Sequence, residues 1–97
     1  MKTIYKYKLA TMASQLIELP FDSEILSAAN VAGDIVIYAL VDPQSVGEKF
    51  VEVLVYGTGH QIDKNINEYN FLNTVQIPDD GLVFHVFVKT THTNNLV

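Results

Sequence analysis

Residues 35–41 read IVIYALV, an apolar run that is rich in β-branched side chains. Because both faces of such a strand are apolar, the run predicts the central strand of a sheet that is covered on both sides. Turn-forming residues at 32–34 and 42–43 bound it. A second apolar strand is predicted at residues 49–56. The connection between the two strands contains a proline and a glycine, and we expect an antiparallel hairpin with a long loop.

Shorter strand patterns occur on both sides of this pair. Residues 25–31 fit either a strand or a single helical turn, and the PDDG turn at 78–81 predicts a hairpin between its flanking segments. The other strand patterns are at residues 3–9, 14–19, 71–77 and 82–89. Six or seven strands without long amphipathic helices predict an all-β fold. We expect a small antiparallel sandwich or a partly open barrel at residues 1–89, and a polar C-terminal tail at 90–97.

The composition excludes several classes of protein. The chain has 97 residues, no cysteine, no arginine, 6 lysines and a formal net charge of -5. Without thiols there are no disulfides, thiolate metal sites or cysteine nucleophiles. Because arginine is absent and acidic residues are in excess, we do not expect binding to duplex DNA. No stretch approaches the ~18 apolar residues of a membrane span and the start lacks an apolar signal region, so we expect a cytoplasmic protein without a membrane partner.

The last predicted strand is apolar on both faces. Its two faces consist of Leu82, Phe84, Val86 and Val88 on one side, and Val83, His85 and Phe87 on the other. A small single-layer sheet leaves one of these faces in water, so either a barrel closes over it or a subunit interface provides the second layer. The sequence therefore favours a homo-oligomer.

The segment YGTGH at residues 56–60 is the main candidate for a binding site. Gly57 and Gly59 allow backbone N–H groups to turn outward, Thr58 adds a hydroxyl, and His60 adds a ring that can change charge near neutral pH. These groups suit an anion, a sugar hydroxyl or the edge of a nucleotide base. The alternative is that the two glycines only form the bulge at which a strand ends.

His85 and two tyrosines are further candidates. One interpretation of His85 is a core or interface residue whose ring nitrogens are hydrogen-bonded. The other is that it joins His60 and Asp63 in a metal site or in acid–base chemistry. Nothing in the spacing forces these side chains together, so we predict no metal, no cofactor and no catalytic residue. Tyr56 or Tyr38 would stack on a base.

Four segments in order carry a resemblance to a known family: MKTIYKY at 1–7, ALVDP at 39–43, YGTGH at 56–60 and LVFHVF at 82–87. The chain resembles a family of small phage and prophage proteins of unknown function. It departs from them at Tyr38, where the family often has tryptophan, and it extends past their usual end. The resemblance implies a phage origin and an intracellular role during infection, and it implies neither an activity nor site residues.

The leading functional hypothesis is a non-enzymatic phage accessory protein that counters host defence by sequestering a nucleotide-derived signalling molecule. Its predicted ligand-binding set is the segment 56–60 together with Tyr38 and His85, at a boundary between subunits. The first alternative is an acidic inhibitor that binds a host defence protein, of the anti-CRISPR or anti-restriction type. The second alternative is a small hydrolase built on the histidines.

Overall fold

The computed structural model describes residues 1–91 and has seven strands in two antiparallel sheets. The strands are β1 (Thr3–Lys8), β2 (Ser14–Pro20), β3 (Glu24–Val31), β4 (Asp34–Val41), β5 (Glu48–Gly57), β6 (Asn70–Ile77) and β7 (Leu82–Thr90). Short 3-10 turns lie at Ile66–Glu68 and Pro78–Asp80. The prediction of an all-β fold is confirmed, and of the two architectures left open the sandwich is found.

The end of β7 bears on the predicted tail. Thr90 is the last residue of that strand. Thr91 then bonds the carbonyl oxygen of Phe50 through both its backbone N–H (3.0 Å) and its hydroxyl (2.9 Å). The contacts of the last strand with β5 therefore extend to residue 91. Residues 92–97, the rest of the predicted tail, lie outside the described part of the chain.

The strands are divided between the sheets in an order that the sequence did not predict. One sheet has the order β1-β4-β3, and the other has the order β2-β5-β7-β6. The predicted hairpin between β4 and β5 is wrong, because the connection after Val41 crosses from one sheet to the other. Both strands are apolar on both faces, so placing them in different layers buries their side chains as fully as pairing them in one sheet would. In the structure, each of the two strands has a neighbouring strand on both sides within its own sheet.

The core lies between the two sheets and comes from alternate residues of the central strands, as the two-residue period of a strand requires. The side chains of Ile37, Ala39 and Val41 from β4 face those of β5 and β7 and are fully buried. Val53 and Val86 complete the centre of this layer and are also fully buried. One chain thus provides both layers of the sandwich.

Asn73 joins the two sheets on one side of the sandwich. It follows an irregularity in β6, and its side chain faces the backbone of Ala28 in β3. The Asn73 Oδ1 atom accepts from the Ala28 N–H at 2.8 Å, and Nδ2 donates to the Ala28 carbonyl oxygen at 2.9 Å. A carboxamide has the same donor and acceptor as a peptide group. Asn73 therefore continues the strand ladder across the corner between the sheets.

The connection between β5 and β6, residues 58–69, lies against the outer face of the four-stranded sheet; we call it the cover loop. Leu54 and Tyr56 point to that outer face, yet they are only 0% and 7% exposed. The Tyr56 hydroxyl donates to Asp63 at 3.5 Å, and Lys64 pairs with the carboxylate of Glu52 at 3.5 Å. Because the loop covers β5 within the same chain, this strand does not require a second copy. The homo-oligomer, predicted from the two apolar faces of the last strand, stays a prediction.

Candidate functional site

β5 ends at Gly57, and the next three residues form a tight turn. The His60 N–H donates to the carbonyl oxygen of Gly57 at 3.1 Å, which closes a four-residue turn. Gly59, at the third position, has a φ of 87°, as a type II turn requires there and as glycine adopts without strain. The Gly57 N–H in turn donates to Nδ1 of His60 at 3.1 Å. The histidine side chain is therefore folded back onto its own turn.

The His60 ring occupies the place of a side chain at position 57. A Cβ atom built on Gly57 would lie 2.7 Å from Cε1 of His60, closer than real contacts allow. Val53 and Val55 point into the core, and the alternation along β5 directs position 57 to the same side. Glycine at this position leaves room for the ring, which extends the inner face of β5 by one step.

A cavity of about 370 Å³, which we call the end cavity, lies between the sheets at this end of the sandwich. Its walls are formed by the turn between β1 and β2, the start of β4, the end of β5 and the hairpin between β6 and β7. The apolar lining residues are Leu9, Ala10, Met12, Ala13, Ile35, Val55, Ile77, Leu82 and Phe84. Gly57 and His60 belong to the lining. The turn predicted from the sequence therefore borders a cavity.

The charges of the end cavity are acidic. Its charged lining residues, within the described chain, are Asp34 and Asp80. The Asp34 carboxylate lies 3.5 Å from Nζ of Lys8, and both side chains are exposed. Like charges repel, so a phosphate or carboxylate inside the cavity would be disfavoured. The cavity suits an apolar group with few polar atoms.

A second cluster lies on the outer face of the four-stranded sheet and is centred on His85. The Thr58 hydroxyl is 2.7 Å from Nε2 of this ring, and the Thr74 hydroxyl is 3.0 Å from Nδ1. A hydroxyl in contact with an imidazole is the arrangement that activates a nucleophile. Here, however, the other ring nitrogen meets a hydroxyl instead of a carboxylate, and the three residues lie outside the lining of the end cavity. The cluster fixes the start of the cover loop to β6 and β7.

The sheet divides the residues that the sequence grouped into one site. Gly57 and His60 face the end cavity, whereas Tyr56 and His85 are cross-strand partners on the outer face. Tyr38 is in the other sheet, where it pairs with strands β1 and β3. The two histidines therefore belong to different surfaces.

The predicted alternatives for chemistry at the histidines also lack a common site. Asp63, proposed as their partner, accepts a hydrogen bond from Tyr56. Within residues 1–91, no group of three or more histidine, aspartate or glutamate side chains is placed to hold a metal ion. In the same part of the chain, no helix has the length and apolar character needed to cross a membrane.

Most of the cavity lining was not identified from the sequence. Residues 10–13 lie between two predicted strands without a motif of their own, and Asp80 belongs to the predicted PDDG turn. Phe84 belonged to an alternating strand pattern that is typical of core residues. No local signal marks these residues, since the cavity forms only where connections distant in the sequence meet.

Burial and hydrogen bonding change the pKa values of two groups where the end of the cover loop meets the sheet. Burial raises the pKa of Tyr69 to about 12, and its hydrogen bond with Glu52 acts in the same direction. That hydrogen bond, together with the charge of Lys64, lowers the pKa of Glu52. The Nζ atom of Lys89 lies 4.8 Å from the centre of the Tyr69 ring and 3.3 Å from Glu68. These contacts hold the end of the cover loop on the sheet.

We expect the stability of the fold to decrease as the pH rises from 10 to 12. Folding raises the pKa of Tyr69 from 10.0 to about 12. The stabilisation that the neutral phenol gives to the folded state is therefore complete below pH 10, and it is lost as the pH rises to about 12 and the phenol ionises in the folded protein. Titration followed by tyrosinate absorbance should show a last step that Tyr69→Phe removes. The control Tyr5→Phe, on the exposed strand β1, should retain that step. A last step that persists in Tyr69→Phe would contradict the assignment.

Fold and cavity together define the class of protein: a two-layer antiparallel β-sandwich with a cavity between its sheets at one end. The chain belongs to the family described as a domain of unknown function, DUF7352, which matches residues 1–96. Comparison with curated proteins and with solved structures finds no match. The expectation of an uncharacterised family is confirmed, and the phage origin stays a prediction.

Proposed function

We propose that this protein is a non-enzymatic binding protein that holds a small ligand, or one group of a larger ligand, in the end cavity. The observation that carries the proposal is the position of His60, whose ring lines an otherwise mostly apolar cavity of about 370 Å³. A concave apolar site with a few polar groups is the usual form of a small-molecule site, and this volume lies in its usual range.

A nucleotide-derived signalling molecule is the ligand class that we propose for a phage accessory role. Its base would enter the apolar part of the cavity, and the turn at Gly57 and His60 would contact the edge of the base. The phosphates would remain outside, because Asp34 and Asp80 belong to the lining. The phage origin and the counter-defence role rest on the resemblance of four sequence segments to small phage and prophage proteins.

We expect calorimetry with cyclic dinucleotides and ADP-ribose to detect binding that His60→Ala weakens by about tenfold, the effect of losing one hydrogen bond and its packing. The matched variant His85→Ala removes a histidine from the opposite face of the same sheet. Weaker binding in His85→Ala with normal binding in His60→Ala would move the site to the outer face. An Ala13→Phe variant, which places a ring in the end cavity, should abolish binding.

An acidic inhibitor of a host defence protein is the second candidate. It is favoured by the net charge of -5, because an acidic surface attracts a basic partner. Recovery of one stoichiometric host protein, with an affinity that falls as salt rises, would favour this candidate over a small ligand. A homo-oligomer is compatible with either proposal, and light scattering at low micromolar concentration measures it directly.

A further inference from the structure

We infer that the group that fills the end cavity is uncharged and apolar and carries one hydrogen-bond acceptor, which binds Nε2–H of His60. A planar aromatic ring with one carbonyl oxygen has this chemistry, and a nucleobase with a carbonyl group offers the same acceptor on a ring that carries further polar atoms. The inference rests on the proposed function, since it specifies the ligand of the same cavity.

The first argument is the tautomer of the His60 imidazole that the hydrogen bond from Gly57 selects. The Gly57 N–H donates to Nδ1 of His60 at 3.1 Å, so Nδ1 must offer a lone pair. A neutral imidazole with its lone pair on Nδ1 carries its proton on Nε2. The turn therefore selects a ring that donates from Nε2.

The second argument is that the position of the ring is fixed. Its Cε1 atom lies only 2.7 Å from the position that a Cβ atom on residue 57 would take, so the ring uses the space that glycine leaves free. The ring is thus held by a backbone hydrogen bond at Nδ1 and by contact with the Gly57 backbone. A donor that is held in place loses little side-chain entropy when a ligand binds. This makes His60 the polar contact that orients an apolar ligand.

The third argument is charge. Asp34 and Asp80 line the cavity, and an anion placed among them would be repelled. A cation would find Asp34 already paired with Lys8 at 3.5 Å, and its attraction to Asp80 would be opposed by the loss of hydration against the apolar walls. An uncharged group avoids both costs.

The test uses three probes with the same ring system. These are 2-acetylnaphthalene, which has a carbonyl acceptor, naphthalene, which has none, and 2-naphthoate, which is an anion at neutral pH. For the full chain we expect 2-acetylnaphthalene to bind about five- to tenfold more tightly than naphthalene, as one net hydrogen bond provides. We expect 2-naphthoate to bind at least about tenfold more weakly than 2-acetylnaphthalene, because of the carboxylates.

Two variants assign the difference to the histidine. His60→Ala should lower the affinity for 2-acetylnaphthalene to that for naphthalene, and Gly57→Ala should do the same because its methyl group displaces the ring. Gln76→Ala, on the exposed outer face of β6, is the control and should retain the full preference. Circular dichroism of each variant verifies that the sandwich is folded.

The outcomes separate this inference from the proposed function. If naphthalene binds as tightly as 2-acetylnaphthalene, or if 2-naphthoate binds most tightly, the inference is wrong while the cavity remains a binding site. If none of the three probes and none of the nucleotides binds, the proposed function itself fails. A preference for the carbonyl that His60→Ala and Gly57→Ala both remove supports the inference.

Discussion

Replacing Asn73 by leucine should lower the free energy of unfolding by about 3 kcal/mol, since it removes both hydrogen bonds to a buried peptide group. The Asn73 side chain bonds the N–H and the carbonyl oxygen of Ala28, a residue that is only 6% exposed. Leucine leaves this donor and acceptor without partners, and among residues 1–91 no strand pairs with this edge of β3 to provide them. For a domain of this size the loss corresponds to a fall in melting temperature of roughly 12–24 °C. Urea unfolding and calorimetry measure it.

Two further variants show whether the carboxamide is responsible. Asn70→Leu makes the same change at the exposed first residue of β6, and it should alter the stability by less than about 0.5 kcal/mol. Asn73→Asp retains the acceptor but turns a carboxylate oxygen towards the Ala28 carbonyl. Relative to the native chain it should be least stable at neutral pH and should recover as acid protonates the carboxyl, which can then donate. If Asn73→Leu is as stable as Asn70→Leu, the corner contact does not hold the sheets together.

The substitution Leu54→Ala should also cost about 3 kcal/mol, in the range found for buried leucines. Leu54 is 0% exposed although it points away from the space between the sheets. Phe87 is its cross-strand partner, and we attribute the remainder of its burial to the cover loop. A large loss of stability would therefore support a second, smaller apolar layer on the outside of the four-stranded sheet. Chemical unfolding monitored by circular dichroism measures the change.

Leu16→Ala provides the matched control for this prediction. Leu16 lies on the same outer face in the neighbouring strand β2, where it is opposite Glu52 and 59% exposed. The same atoms are deleted from a side chain in water, so we expect a change of less than about 0.5 kcal/mol. Equal effects of the two variants would mean that the cover loop does not bury Leu54 in solution.

The strands were predictable from local patterns, whereas their arrangement was not. The apolar run at residues 35–41 is β4 within one residue, and the PDDG turn does connect a hairpin, because proline and glycine restrict the backbone locally. The prediction of a hairpin between β4 and β5 was wrong for a different reason. A strand that is apolar on both faces is buried equally well beside its neighbour or stacked on it, so the pattern contains no information on which occurs.

The candidate site was only partly predictable. The sequence identified the turn at Gly57 and His60 as a place where backbone and imidazole groups meet, and the structure places both at a cavity. Tyr56 and Thr58 flank Gly57 in the sequence, but the alternation of a strand directs them to the opposite face. Asp34 and Asp80 come from separate connections, and only the stacking of the two sheets brings them to the same cavity.

The division of strands between the sheets has a consequence for the order of events on the ribosome. All members of the β1-β4-β3 sheet have been synthesised once Val41 is added, but the β2-β5-β7-β6 sheet requires Thr90. During that interval the apolar inner face of the three-stranded sheet, which includes Ile37, lacks the second sheet that it packs against in the complete fold. A nascent chain stalled between these two points would be the species most prone to aggregate or to recruit a chaperone.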